Sequence, residues 1–146
     1  MRYRRLKYHE LVIFVEAWLA LHWSKVLILF FPFQKIAGRL GHPQKETPAE
    51  ELNDTEVVLS AIATARAARY ALYRTQCFDK SLAVMILLKR RKIPATIYFG
   101  LKRDTGLLQA HAWLRCGNKI ITGGLGQSHY APVAWFGSGI EKGRGV

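Results

Sequence analysis

The chain predicts an α+β fold in which helices pack on a small antiparallel sheet, with a helical arm at the N-terminus. Three observations predict it. The hydrophobic period is helical from Leu6 to about Lys92 and alternates beyond it. Proline and glycine punctuate the pattern at the joints between elements. With 146 residues, half of them hydrophobic, the chain has the length and apolar content of one domain with a real core.

The first helix runs from Leu6 to about Phe31, where Pro32 ends it. Its segment "LVIFVEAWLALHWSKVLILFFPF" is interrupted by Glu16, His22 and Lys25. No unbroken run reaches the roughly 18 to 20 residues that a span requires. A buried or partner-facing helix is therefore expected rather than a stable membrane span. No small-residue cleavage site follows, so the segment does not read as a secretory signal. A short basic helix follows through "QKIAGRL", closed by Gly41. The prolines and mixed charges of "GHPQKETPAEELND" mark a linker. It divides a helical arm, residues 1–46, from a core, residues 47–146. The arm, with Trp18, Trp23, Phe30 and Phe31, either packs on the core or docks a partner.

Asn53 and Glu56 have the spacing of a capping box ahead of "DTEVVLSAIATARAARYALYR". Val57, Ile62, Ala65 and Leu72 supply one face of that helix. Cys77 opens the next helix, with Leu82, Met85, Ile86 and Leu88 inside and Lys80, Lys89, Arg90 and Arg91 toward water or a partner. The alternating segments "ATIYFGLK", "LLQAHAWLRC", "KIITGG" and "APVAWFG" then read as four strands of an antiparallel meander, with a turn at Gly117-Asn118.

Lys and Arg number 22 against 10 Asp and Glu, a formal net charge of +12. Such a field attracts polyanions or acidic peptides. No recognition-helix pattern, zinc-ligand spacing or ribonucleoprotein motif accompanies it, which argues against nucleic acid. The two cysteines, Cys77 and Cys116, lack C-x-x-C spacing and form no disulfide framework. A reducing, cytoplasmic setting is expected, with neither metal nor cofactor.

Cys77 carries the chemistry. At a helix start, unpaired backbone N–H groups and the helix dipole favour thiolate over thiol. The plain alternative is a small buried residue, the commoner fate of a free cysteine. His111, flanked by Ala110 and Ala112 on a strand, is by itself either a satisfied core histidine or a base. Together the two fit a thiolate–imidazolium pair for acyl transfer, with His111 shuttling the proton. Gln76 and the Cys77 backbone N–H are candidate oxyanion donors. Cys116, beside a tight turn, reads as structural or incidental.

The combination "CFDKSLAVMILLKRRKIPATIYFGL" and "AHAWLRCGNKIITGG" resembles the transglutaminase-like leader peptidases of lasso-peptide biosynthesis. In that family a cysteine opens a helix with a Ser-Leu-Ala inner face and a basic end, and an A-H-A-W strand follows. "FFPFQKIAGRLGHP" is similar to the family's N-terminal lead-in, so the likeness covers nearly the whole chain. It implies a papain/transglutaminase-like core and a cysteine peptidase that removes the leader from the precursor of a ribosomally made natural product. Cys77 is then the nucleophile and His111 the general base. It also implies as partners the precursor's leader region, a separate winged-helix recognition protein and an ATP-using lasso cyclase. Many relatives carry an aspartate about a dozen residues beyond the histidine, a position that falls here on Gly123. Thr122, Asn118, Asp104 or a backbone carbonyl remain as groups to orient the imidazole. A non-catalytic interaction module of the same fold, which the glycine favours, and another cysteine acyl-transfer enzyme stay open as alternatives.

Overall fold

Helices come first in the chain and the sheet last, as the change of period predicts. The computed structural model describes residues 2–48, 55–124 and 127–138. Among these, α1 spans Arg2–Phe30, α2 Phe33–Leu40, α3 Thr55–Ala68 and α4 Cys77–Arg90. The strands are β1 His42–Pro43, β2 Ala95–Asp104, β3 Leu107–Cys116, β4 Lys119–Thr122 and β5 Ala131–Ser138. Pro32, which ends α1, is also the N-cap of α2, with an extended backbone at φ −67°. All strand pairs are antiparallel, in the order β1-β5-β2-β3-β4.

That order corrects the expected meander. β5 does not follow β4 but returns to the opposite edge, where it pairs with β2. The reason lies in β2, whose Ala95, Thr96 and Ile97 are wholly buried. A strand buried to that degree needs a hydrogen-bonding neighbour on both sides. The linker also contributes structure, since its His42 and Pro43 pair with Gly137 and Phe136 of β5. Beyond them it straps the outer face of the sheet. The Thr47 backbone N–H donates to Thr96 Oγ1 at 2.9 Å, Tyr98 donates to Glu46 at 2.6 Å, and Arg115 donates to the Thr47 carbonyl at 2.7 Å.

α4 lies between two apolar clusters. On the sheet side Leu82, Val84, Met85 and Leu88 join Ile97, Leu114, Phe136, Ile36 and Leu40. On the other side Ala83 and Leu87 meet Ile13, Ala17, Ala20 and Leu21 of α1 and Ala63 and Ala67 of α3. α1 is thus part of the packed core along one side. The α3 face differs from the expected one: Val57 is buried, but Ile62, Ala65 and Leu72 are exposed. The buried stripe is Val57, Ser60, Ala63, Thr64 and Ala67, small residues that allow the helices to approach closely. Leu72 lies beyond the helix, which tightens at Ala67–Tyr70 into a turn. Thr64 satisfies its buried hydroxyl by bonding back to the Ser60 carbonyl at 2.8 Å, and Ser24 does the same to Ala20 at 2.7 Å.

Both ends of α4 are fastened. The N-cap is Gln76, whose backbone N–H donates to Asp79 Oδ2 at 2.9 Å in a capping box. The box expected at Asn53 falls outside the described residues. At the other end Arg91, expected to face water or a partner, turns to the neighbouring helices of its own chain. It grips Glu16 of α1 through two bonds, 2.9 and 2.8 Å, and Glu56 of α3 through a third of 3.0 Å. Arg90 adds a 3.0 Å contact to Glu16. The Arg91 hydrogen bonds, with the charges of both arginines, hold the Glu16 carboxyl below its ordinary value despite partial burial.

A depressed carboxylate stabilises the fold above its unfolded pKa, and this contribution fades as pH falls through the folded value. Acidification below the ordinary glutamate value near 4.5 is therefore expected to loosen the α1–α4 junction. Glu16→Gln is expected to lower Tm at neutral pH by roughly 2 to 4 °C, as the loss of about 1 kcal/mol does in a domain of this size. Its urea stability should also fall less steeply with acidification than that of the natural chain. Equal acid slopes for the two proteins would contradict the assignment.

Candidate active site

Cys77 is the first residue of α4, half-buried and outside any disulfide. Its backbone N–H belongs to the first helical turn, where no intrahelical acceptor exists. Gln76 beside it is exposed. Ser81 sits one turn further along the same stripe of the helix as Cys77. It is fully buried, and its hydroxyl donates to the Ala112 carbonyl at 3.5 Å. The stripe that begins with Cys77 therefore meets β3 at Ala112.

His111 precedes that contact by one residue. β3 pairs with β2 so that His111 faces Gly100 and Ala112 faces Phe99. Ala112 and Leu114 are on the side of the sheet that packs on α4, so alternation sends the His111 and Trp113 side chains to the other side. There Trp113 lies across Gly100, where a Cβ would come within 2.6 Å of the indole and 2.9 Å of Tyr130 Cβ. Only glycine admits that approach. The His111 ring stacks on Trp113 with centroids 5.8 Å apart and leans on Tyr130 at 5.0 Å.

Both the helix and the ring have a contact at this edge of β3. The β3–β4 ladder ends at Leu114 and Thr122, so among the described residues that edge of β3 has no strand partner at His111 and Ala112. The chain then turns at Gly123, φ +74°, and its carbonyl oxygen meets His111 Nε2 at 2.7 Å. Ser81 of α4 reaches the same edge one residue away. α4 thus touches β3 at the carbonyl next to His111, while the His111 ring lies on the side of the sheet turned from α4, and among the described residues no hydrogen bond joins the Cys77 thiol to the ring.

The Gly123 contact selects one tautomer of the neutral His111 ring. A carbonyl oxygen only accepts, so Nε2 carries the hydrogen in this bond. In the neutral ring Nδ1 then keeps its lone pair and is the nitrogen able to take a proton. The orienting group is therefore the Gly123 backbone rather than Thr122, Asn118 or Asp104. Asn118 is exposed in the β3–β4 turn, and Asp104 is exposed four residues along β2 from the partner of His111. A side chain at position 123 has no space, because a Cβ there would collide with the Ala112 carbonyl oxygen. Cys116 is buried, with its thiol donating to the Pro94 carbonyl at 3.3 Å. Ser81 and Tyr130 escaped the sequence reading. The i+4 spacing from Cys77 was the one available signal for Ser81, and nothing local marked Tyr130.

A family model described as the transglutaminase-like superfamily matches residues 18–134. The chain belongs to the transglutaminase-like superfamily. Its α+β architecture is consistent with a transglutaminase-like core, and the matched span reaches from the middle of α1 into β5. Members of the superfamily are mostly cysteine-dependent enzymes, cysteine peptidases and acyltransferases among them. No curated protein and no solved structure matches the chain. In transglutaminase-like terms, Cys77 stands where a helix begins, His111 stands on the neighbouring sheet, and a carbonyl holds the ring.

Gly123→Asp, which restores an acidic residue at the position the resemblance points to, is expected to damage rather than improve the site. The left-handed backbone and the crowded Ala112 carbonyl resist any Cβ, at a cost of about 1 to 3 kcal/mol. Thermal unfolding and thiol-dependent turnover of the variant are the measurements. A variant both as stable and more active would show that the site was built for a carboxylate.

Proposed function

We propose that this protein is a cysteine peptidase that cleaves the leader from a lasso-peptide precursor in the cytoplasm. Family membership supports thiol chemistry, and the likeness of "CFDKSLAVMILLKRRKIPATIYFGL" and "AHAWLRCGNKIITGG" to leader peptidases supports the substrate. The single observation that carries the reading is the His111 ring, anchored by Gly123 with Nδ1 as its basic nitrogen, at the step of β3 that α4 also contacts.

In this reading Nδ1 of His111 takes the Cys77 proton, and the thiolate adds to the scissile carbonyl carbon. The resulting oxyanion is stabilised by the Cys77 backbone N–H and the Gln76 carboxamide. Collapse of this intermediate breaks the C–N bond, and the imidazolium returns the proton to the departing amine. Water, deprotonated by the same imidazole, then hydrolyses the thioester and frees the leader carboxylate. The Gly123 carbonyl stabilises the imidazolium as a dipole, where a carboxylate would do so with a full charge. Recognition falls to a separate winged-helix protein, and ring closure to a downstream ATP-using cyclase.

Mass spectrometry of a cognate precursor incubated with the protein and its recognition partner tests the proposal. Cys77→Ala should abolish leader release, and His111→Ala should slow it by about 100-fold or more. Gln76→Ala should lower kcat by a smaller factor than either. Undiminished cleavage by the first two variants would remove both residues from the site. A crosslinked product would point to a transglutaminase, and no product at all to a binding module.

The formal charge of +12 favours a leader rich in acidic residues. Raising ionic strength from about 0.05 to 0.5 M should then raise KM several-fold with little change in kcat. A KM indifferent to salt would exclude electrostatic capture.

A further inference from the structure

α1 is apolar on both sides, and among the described residues only one side is covered. Its segment Tyr8–Phe30 is 23 residues long with mean hydropathy 1.7, enough to cross a membrane by length and composition, and a third of it is buried. Glu16, His22 and Lys25 interrupt the segment yet leave its mean hydropathy at 1.7. The buried side packs on α3 and α4, and Glu16 is clamped by Arg91, so this helix is committed to the domain along its length. The opposite side presents Tyr8, Leu11, Val12, Val15, Leu19, Trp23, Val26, Leu29 and Phe30, all 38 to 76 % exposed. These positions recur at three- and four-residue intervals and fall on a single arc of the helix. Phe31 and Phe33 extend the strip at 38 and 45 % exposure. By a rise of about 1.5 Å per residue the strip is roughly 33 Å long, a contiguous apolar surface of the kind that marks an interaction site.

Charge decides what covers it. The arc contains neither Asp nor Glu, and both its ends are basic. Arg2, Arg4, Arg5 and Lys7 precede Tyr8 in the sequence. At the other end Lys35 and Arg39 of α2 line a hollow with Phe31 and Leu27. Lys89 and Arg90 of α4 line an adjoining hollow of about 270 Å³ with Trp23 and Leu27. An apolar strip with aromatic side chains and flanking cations matches an anionic lipid surface: acyl chains take the strip, headgroups the cations. A second copy of the chain would set the same basic ends against basic residues of its partner in most registers.

We propose that the outer face of α1 docks the protein in the plane of an anionic membrane surface, without spanning it. This surface is separate from the His111 site, and the proposal does not depend on the peptidase reading. The test is co-sedimentation of the full chain with phosphatidylcholine vesicles, with and without about 30 % phosphatidylglycerol, alongside sedimentation velocity without lipid. The chain should pellet with the anionic vesicles at least tenfold better than with the neutral ones, and salt should weaken the binding. Leu19→Glu with Trp23→Glu, two exposed positions, should abolish pelleting while leaving the circular dichroism melt unchanged. Lys35→Glu with Arg39→Glu should remove most of the preference for anionic lipid. A chain that stays in the supernatant with anionic vesicles overturns the proposal, whether it is monomeric or forms a dimer that the Glu variants disperse. Pelleting that the strip variants leave intact overturns it as well.

Discussion

Everything in this molecule is arranged around the burial of α4 on two sides. Leu82, Met85 and Leu88 hold it to the sheet, while Ala83 and Leu87 hold it to α1 and α3. A helix gripped on opposite faces has no freedom to rotate, and each residue of register shift would turn its side chains by about 100°. The capping box at Gln76 and the Arg91–Glu16 clamp fasten its two ends. The direction in which Cys77 leaves the helix is therefore set by packing far from it.

The second constraint is the unpaired edge of β3. Had β4 continued past Thr122, a neighbouring strand would occupy the space beside His111 and Ala112. Its early end lets Gly123 fold back onto the imidazole and lets Ser81 reach the Ala112 carbonyl. A backbone carbonyl selects the tautomer as firmly as an acid would, but it carries only a partial charge. Stacking on Trp113 and a tilted contact with Tyr130 fix the plane of the ring.

Two kinds of surface coexist on the protein without interfering. The His111 site lies at a sheet edge, lined by aromatic rings and backbone polar groups. The α1 strip lies on the outer side of the helical layer, apolar and bordered by cations.

The residues alone determined the helices-then-strands order, the limits of α2 and β3 within a residue or two, and the candidacy of Cys77 and His111. These follow from local rules: proline stops, alternation, and a cysteine placed at a helix start. Sequence reasoning failed wherever distant contacts chose among equal local options. On α3, alanines and hydroxyls took the buried side because α1 and α4 approach too closely for Ile62. Arg91 looked solvated because its carboxylate partners lie 35 and 75 positions away. β5 crossed the sheet because buried β2 needed a second neighbour, a demand no single strand reveals. The Gly123 carbonyl was one option among several until the end of β4 placed it. Backbone groups are identical at every residue, and only tertiary structure gives one of them a task.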